Sequence, residues 1–314
     1  MNRRDVLAQM TASAGVALTS MLGLPALAQR SRSSRLVIVG GAEDRLQDRI
    51  ILRKYVEYCG GSAAKIRIIT AASGDPEGVW QSYRNVFIAL GVNDVQRLEL
   101  DDRASAHATS LQSEILHADG IFISGGDQSR LMDILWDTPA YQSLHQTLHM
   151  NGCCIGGTSA GAAVMSRHMI AQGPAVLRPS KEAVDTDMGL GLLSQAVIDQ
   201  HFSERRRLPR LLSTLAIRPD LLGVGIDEDT ALVIEPGQGI EVMGQGSVTL
   251  VDPTQMRSNV DEIEALESIE MLGVQLHMLP AGHRYTLGSM AQDAKSAPLR
   301  RAIERLVTVG PMRA

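Results

Sequence analysis

Aromatic side chains are scarce in this chain, with three Phe, two Trp and five Tyr among 314 residues. The net charge is −5. A nucleic-acid binder wants a basic face and stacking rings, so that class is disfavoured, and the mild acidity reads as simple solubility. Cysteine is scarce too: Cys59, Cys153 and Cys154 are the only three. The number is odd, and adjacent residues of a strand point to opposite faces, so a disulfide framework is not expected. Small buried hydrophobes are the better reading. Long apolar runs are also missing. The most apolar stretch near the start, residues 11–27, is interrupted by Thr11, Ser13, Thr19, Ser20 and Pro25. A permanent membrane span is therefore not expected.

That same stretch reads as a targeting segment. Arg3-Arg4 precedes it and Ala26-Leu27-Ala28 closes it as an A-x-A cleavage site, a pattern that resembles a twin-arginine export signal. Residues 1–28 are expected to be the signal and residues 29–314 a single domain, in the periplasm or outside the cell.

The rest of the chain has the 44% apolar content of a globular protein. Continuous apolar strands are expected at 36–39, 65–70, 95–100, 120–124 and 152–156. Helices are expected between them at 44–59, 80–90, 111–117 and 127–149. Apolar strands alternating with helices imply a mostly parallel sheet covered on both faces, an α/β fold of three layers, α/β/α. Reactive loops in such sheets lie at the carboxyl ends of the strands, where Gly41, Ala71, Gly125-Gly126 and Ser159 fall. A strand at 222–226 ends at Asp227-Glu228, and later strands at 231–235, 239–243 and 247–251, with glycine turns, read as an antiparallel extension. Residues 253–273 look loop-like, and 297–309 reads as a closing helix.

The most informative stretch is Gly157-Thr158-Ser159-Ala160-Gly161. It matches the G-x-S-x-G elbow, in which a strand turns sharply into a helix and exposes a nucleophilic serine. Free N–H groups at the helix start would favour a developing oxyanion. A glycine-rich turn with an inert serine fits the same letters. A serine nucleophile needs a base, and the base an orienting acid. Among eight histidines, His201 stands out, because it ends an apolar strand and precedes a cationic helix; a structural histidine would sit there equally well. The acid candidates are Asp227, Glu228 and Asp229, at the next strand end. The order Ser, His, acid differs from that of α/β-hydrolases, which place the acid before the histidine. A second oxyanion donor suits the loop Ser124-Gly125-Gly126-Asp127-Gln128, with Gly126 supplying one N–H and Ala160 the other; a plain glycine turn is the alternative. Arg205, Arg206, Arg207 and Arg210 read either as a solvated face or as a carboxylate-binding group. His145 and His149 have the i, i+4 spacing of a metal pair on a helix, but no third ligand stands out. No metal or cofactor is expected.

Five blocks in order resemble the peptidase family of cyanophycinases and aspartyl dipeptidases. They are residues 37–44 (Val-Ile-Val-Gly-Gly-Ala-Glu-Asp), 125–128 (Gly-Gly-Asp-Gln), 156–162 (Gly-Gly-Thr-Ser-Ala-Gly-Ala) with 189–193 (Gly-Leu-Gly-Leu-Leu), 199–202 (Asp-Gln-His-Phe) with Arg205, Arg207 and Arg210, and 225–231 (Gly-Ile-Asp-Glu-Asp-Thr-Ala). The block at 199–202 with its spaced arginines looks like the cyanophycinase branch. The resemblance covers the chain from about residue 37 to 251. It implies a fold related to class I glutamine amidotransferases, with a serine in place of their cysteine, and a Ser159-His201-Glu228 triad. It also implies a pocket of Gln128, Asp199, Gln200, Arg205, Arg207 and Arg210. The implied substrate is cyanophycin, a polyaspartate carrying arginine on each β-carboxyl, or another β-aspartyl peptide. The expected protein is thus an exported serine exopeptidase, working as a homodimer. The competing expectations are a β-aspartyl or acidic dipeptide hydrolase on the same scaffold, or a non-catalytic exported binding protein.

Overall fold

The computed structural model describes residues 34–308. The expected export segment, residues 1–28, lies outside them. In chain order the elements are β1 (Arg35–Val39), α1 (Ile50–Cys59), β2 (Lys65–Ile69), α2 (Pro76–Ala89), β3 (Asp94–Arg97), α3 (Thr109–Leu116), β4 (Gly120–Ile123), α4 (Gln128–Leu135), α5 (Pro139–Met150), β5 (Cys154–Thr158) and α6 (Ala160–Ala163). There follow β6 (His168–Gln172), β7 (Asp185–Met188), β8 (Ala196–Gln200), α7 (Leu208–Ile217), β9 (Leu222–Ile226), β10 (Thr230–Glu235), β11 (Gly239–Gly244) and β12 (Ser247–Asp252). The last are β13 (Arg257–Ser258), β14 (Met271–Leu272), β15 (Gln275–Pro280), β16 (His283–Thr286) and α8 (Ala297–Val307).

The main sheet has the order β16-β11-β10-β1-β5-β4-β2-β3. Strands β1 to β5 run parallel, and β10, β11 and β16 extend the sheet antiparallel. Alternation along its apolar strands fills two cores. Val37, Val39, Ile66, Ile68 and Phe122 face α1 and α2. Leu36, Ile38, Ile69, Ile121 and Ile123 face the opposite side with α3, α4 and α5. The scarce rings concentrate in the first core: Tyr55 and Phe122 meet edge-on at 5.3 Å, and Tyr83 and Phe87 lie beside them. Such pairs add about 0.5–1.5 kcal/mol beyond area burial. Cys153 and Cys154 point into opposite cores, and all three cysteines are free and buried.

Four departures from the sequence reading have local causes. Helix α1 begins at Ile50, six residues later than expected. The Asp44 carboxylate instead accepts the N–H groups of Leu46, Gln47 and Arg49, bonds that hold it down at a pKa of about 2. The expected helix 127–149 is two helices, because Pro139 lacks an N–H and pushes its predecessor out of the helical region; Thr138 caps the second with its hydroxyl. The basic helix after His201 starts only at Leu208, since Arg206 has φ 51° and ends any helical run before it. Arg205 and Arg206 therefore lie in a turn. Finally, β12 does not extend the main sheet. It joins β8, β9 and β15 in a second sheet of order β15-β12-β9-β8, within which β8 and β9 are parallel.

Candidate active site

The strand ends of β5, β8 and β9 converge on one point. Ser159 stands between β5 and α6 with φ 53° and ψ −113°, a conformation an L-residue holds only when its surroundings enforce it. The flanking glycines make the turn possible: a Cβ at Gly157 would lie 2.4 Å from the Gly161 carbonyl oxygen, and one at Gly161 would lie 2.2 Å from that of Ile123. Ser159 is half-buried, and its Oγ lies 2.9 Å from His201 Nε2.

His201 follows β8 and is buried. Its backbone N–H donates to the Gly40 carbonyl at 2.8 Å, and its ring lies against Gly41, where a Cβ would come within 2.3 Å of Cε1. On the other edge of the ring, Nδ1 lies 2.6 Å from Glu228 Oε1. Burial pushes the imidazole below the ordinary histidine pKa; the Glu228 bond opposes this, and the positive charges of Arg205 and Arg207 add to it. The ring is therefore neutral at pH 7, the form that accepts a proton from a hydroxyl.

The two other acid candidates are engaged elsewhere. Asp227 accepts the N–H of Ser203 and both the N–H and the hydroxyl of Ser247, tying together the loops after β8 and β9. Asp229 accepts the N–H of Asp44. Of the two expected oxyanion donors, Ala160 opens α6, so its N–H has no partner within the helix. Gly126 belongs to the loop after β4; its neighbour Gly125 is so close to Ser159 that a Cβ there would be 3.3 Å from Ser159 Cβ. Asp127 caps α4, accepting from Ser129 and Arg130.

The expected pocket residues separate into two groups. Asp199 has no exposed side-chain surface. Arg210 Nε donates to its Oδ2 at 2.8 Å and Arg210 Nη2 to its Oδ1, which Arg207 Nη1 also reaches at 3.3 Å. Asp199 is not free to meet a substrate guanidinium, because both its oxygens are taken by arginines. Arg210 is buried as well and donates to the Gly173 carbonyl. Arg207 is half-buried and also donates to the Gln200 carbonyl at 2.6 Å; burial lowers its pKa to about 10, against the pull of Asp199. Arg205 and Arg206 are exposed. Gln128 donates through its amide nitrogen to the carbonyls of Ile170 and Ala171, fastening β6 to the start of α4. Gln200 is buried at the end of β8.

His145 and His149 stack on α5 with ring centroids 6.0 Å apart. His145 Nε2 lies 2.7 Å from the Leu190 carbonyl, and no cluster of three metal-ligating side chains occurs among the described residues. Glu43 is the site residue that residue-by-residue reading passed over. It is buried behind the elbow and accepts the hydroxyls of Thr158 and Tyr83. Its sequence signal was only its place in the block that ends β1.

Residues 36–242 match the peptidase family S51. The chain is 41% identical over 258 residues to a cyanophycinase of Geminocystis herdmanii, spanning 82% of this chain and 94% of that protein. It is 38% identical over 259 residues to a cyanophycinase of Trichormus variabilis, spanning 82% and 87%. Among solved structures, a peptidase from an acI-B1 Actinobacterium superposes with a TM-score of 0.58 at 25% identity, covering 81% of this chain and 97% of that one. The fold is of the class I glutamine amidotransferase type. Five parallel strands under helices on both faces, a glycine-flanked serine turn and a family match over most of the described residues lead to one assignment: the chain belongs to peptidase family S51 and is a serine peptidase.

Proposed function

We propose that this chain is an exported exopeptidase that hydrolyses cyanophycin to β-Asp-Arg dipeptides through a Ser159-His201-Glu228 triad. The observation that carries the reading is the continuous line of hydrogen-bond distances, 2.9 Å from Ser159 to His201 and 2.6 Å from His201 to Glu228. The relatives' name, cyanophycinase, supplies the substrate class.

In this mechanism Ser159 Oγ attacks the scissile carbonyl carbon while His201 Nε2 takes its proton. Glu228 holds the tautomer and stabilises the imidazolium. The N–H groups of Ala160 and Gly126 receive the oxyanion. Collapse breaks the C–N bond, His201 returns the proton to the leaving amine, and Ser159 is left as an ester. Water then attacks the ester with His201 again as base, releasing the acid product and free serine.

Arg205 and Arg207 follow the base and suit the free α-carboxylates that β-linked units expose. Asp199 and Arg210 brace Arg207 from behind. The Gln128 amide oxygen and Gln200 are the remaining polar groups for the substrate, and an amide oxygen is a fitting acceptor for a guanidinium. Export rests on Arg3-Arg4 and Ala26-Leu27-Ala28, and replacing both arginines by lysine should retain the protein in the cytoplasm.

The test is incubation of the protein with cyanophycin, with mass analysis of the products. β-Asp-Arg should accumulate while casein stays intact. Equal cleavage of both would mark a general protease. Cleavage of β-aspartyl dipeptides with intact polymer would move the reading to a dipeptide hydrolase.

A further inference from the structure

The loop after β1 touches all three strand ends that carry the triad. The Val39 carbonyl accepts the N–H of Ser159 at 3.1 Å, the Gly40 carbonyl that of His201 at 2.8 Å, and the Gly41 carbonyl that of Asp229 at 2.9 Å. Asp229 directly follows Glu228. Two residues further along the loop comes Glu43, with its side chain 2% exposed. Tyr83 of α2 donates to Oε1 at 2.5 Å, and Thr158 donates to Oε2 at 2.5 Å. The nearest paired cation, Arg45, stands 3.9 Å away.

Burying a carboxylate is costly unless its oxygens are hydrogen-bonded, and here both are bonded to neutral hydroxyls rather than to a close cation. The two donors belong to different parts of the fold. Tyr83 is buried and packed against Phe87 and Phe122. Thr158 is the last residue of β5 and is covalently joined to the strained Ser159. The carboxylate thus ties the end of the nucleophile strand to the rigid aromatic core under α2.

We propose that Glu43 is a positioning residue: by holding the Thr158 hydroxyl against the Tyr83 anchor, it fixes the peptide that enters Ser159 and so the direction of Oγ toward His201. This rests on the reading of Ser159 as the nucleophile. Releasing Thr158 leaves residues 199–210 untouched, so turnover falls while substrate affinity stays.

The test separates this claim from the substrate assignment by using a fluorophosphonate, which needs only an activated serine. Ser159 Oγ bonds to phosphorus, fluoride leaves, and the serine proton passes to His201. Two variants are compared with wild type, Glu43→Gln and Thr158→Val, the second removing only the hydroxyl at nearly constant volume. Each should slow labelling of Ser159 by about tenfold to a hundredfold, the scale of a small misplacement of a reacting group. Their double variant should be no slower than the slower single one, because both act on the same Glu43–Thr158 bond. In steady-state hydrolysis kcat should fall by a similar factor with KM within about twofold. Labelling of folded variant within about twofold of wild type would make Glu43 merely structural and overturn the proposal. If Glu43→Gln does not fold, Thr158→Val decides by the same criterion. A wild-type chain that takes no label at Ser159 removes the nucleophile assignment itself, and this inference with it.

Discussion

Glu228 Oε1 stands 2.6 Å from His201 Nδ1, while the carboxylates on either side of it in the chain are bonded to other loops. Three acids in a row occupy the strand end, and the geometry singles out the middle one. Glu228→Gln should therefore lower kcat by on the order of 10⁴ with little change in KM, as expected when a base loses the partner that sets its tautomer. Asp229→Asn, measured in the same assay, should stay within about tenfold of wild type, since Asp229 meets only a backbone N–H.

Ser159→Ala removes the attacking oxygen and leaves the glycine contacts of the turn in place. Hydrolysis should drop by on the order of 10⁶. Thermal unfolding should show the same Tm as wild type or a slightly lower one, because the smaller side chain leaves the packing of the turn in place and loses one hydrogen bond. Near-full turnover would place the nucleophile elsewhere.

The pH profile follows from the depressed pKa of His201. The base works when neutral, so kcat/KM rises with pH through the free enzyme's imidazole pKa and is lost below it. Burial places that acid limb below the ordinary histidine value of about 6.5. Arg205 is exposed and pushes the pKa down by its positive charge. Arg205→Ala should consequently move the limb toward higher pH. A limb that stays in place or moves down would contradict the assignment of His201 as the titrating base.

Asp199 neutralises two arginines where no water reaches it. Asp199→Ala leaves Arg207 and Arg210 without their anion, and breaking a buried pair of this kind costs about 3–5 kcal/mol. Calorimetry should show Tm lowered by roughly 10 °C. Arg210→Lys keeps the charge but loses the two-pronged contact with Asp199, so it should lower both Tm and kcat/KM. Arg206→Lys is the control: Arg206 is exposed in the turn before α7, and neither quantity should change.

Much of this protein is legible from its residues alone. Runs such as Leu36 to Val39 and Gly120 to Ile123 are apolar at every position, which only a strand covered on both faces tolerates, so the parallel sheet and its two helix layers follow directly. Gly157, Ser159 and Gly161 announce their own turn, because the sterics that require the glycines are local. His201 was identifiable as a strand-end histidine.

What tertiary structure decided is how the strand ends meet. The proposed triad spans two sheets: Ser159 follows β5 of the main sheet, whereas His201 and Glu228 follow β8 and β9 of the second. No periodicity reports which sheet a strand joins, because the apolar pattern records burial and not partner. The residues by themselves left Asp227, Glu228 and Asp229 open, and only the family resemblance pointed to Glu228; which of them reaches His201 depends on the direction the backbone gives each and on the longer glutamate side chain, and φ 43° at Asp229 turns the chain just after Glu228. The arginines show the same limit. Their spacing suggested one helical face, yet Arg207 and Arg210 meet through Asp199, and the Arg210 contact spans 11 residues and depends on α7 packing against β9, the neighbour of β8. Local sterics and burial are written in the order of residues, but the pairing of distant groups is set only once the strands have packed.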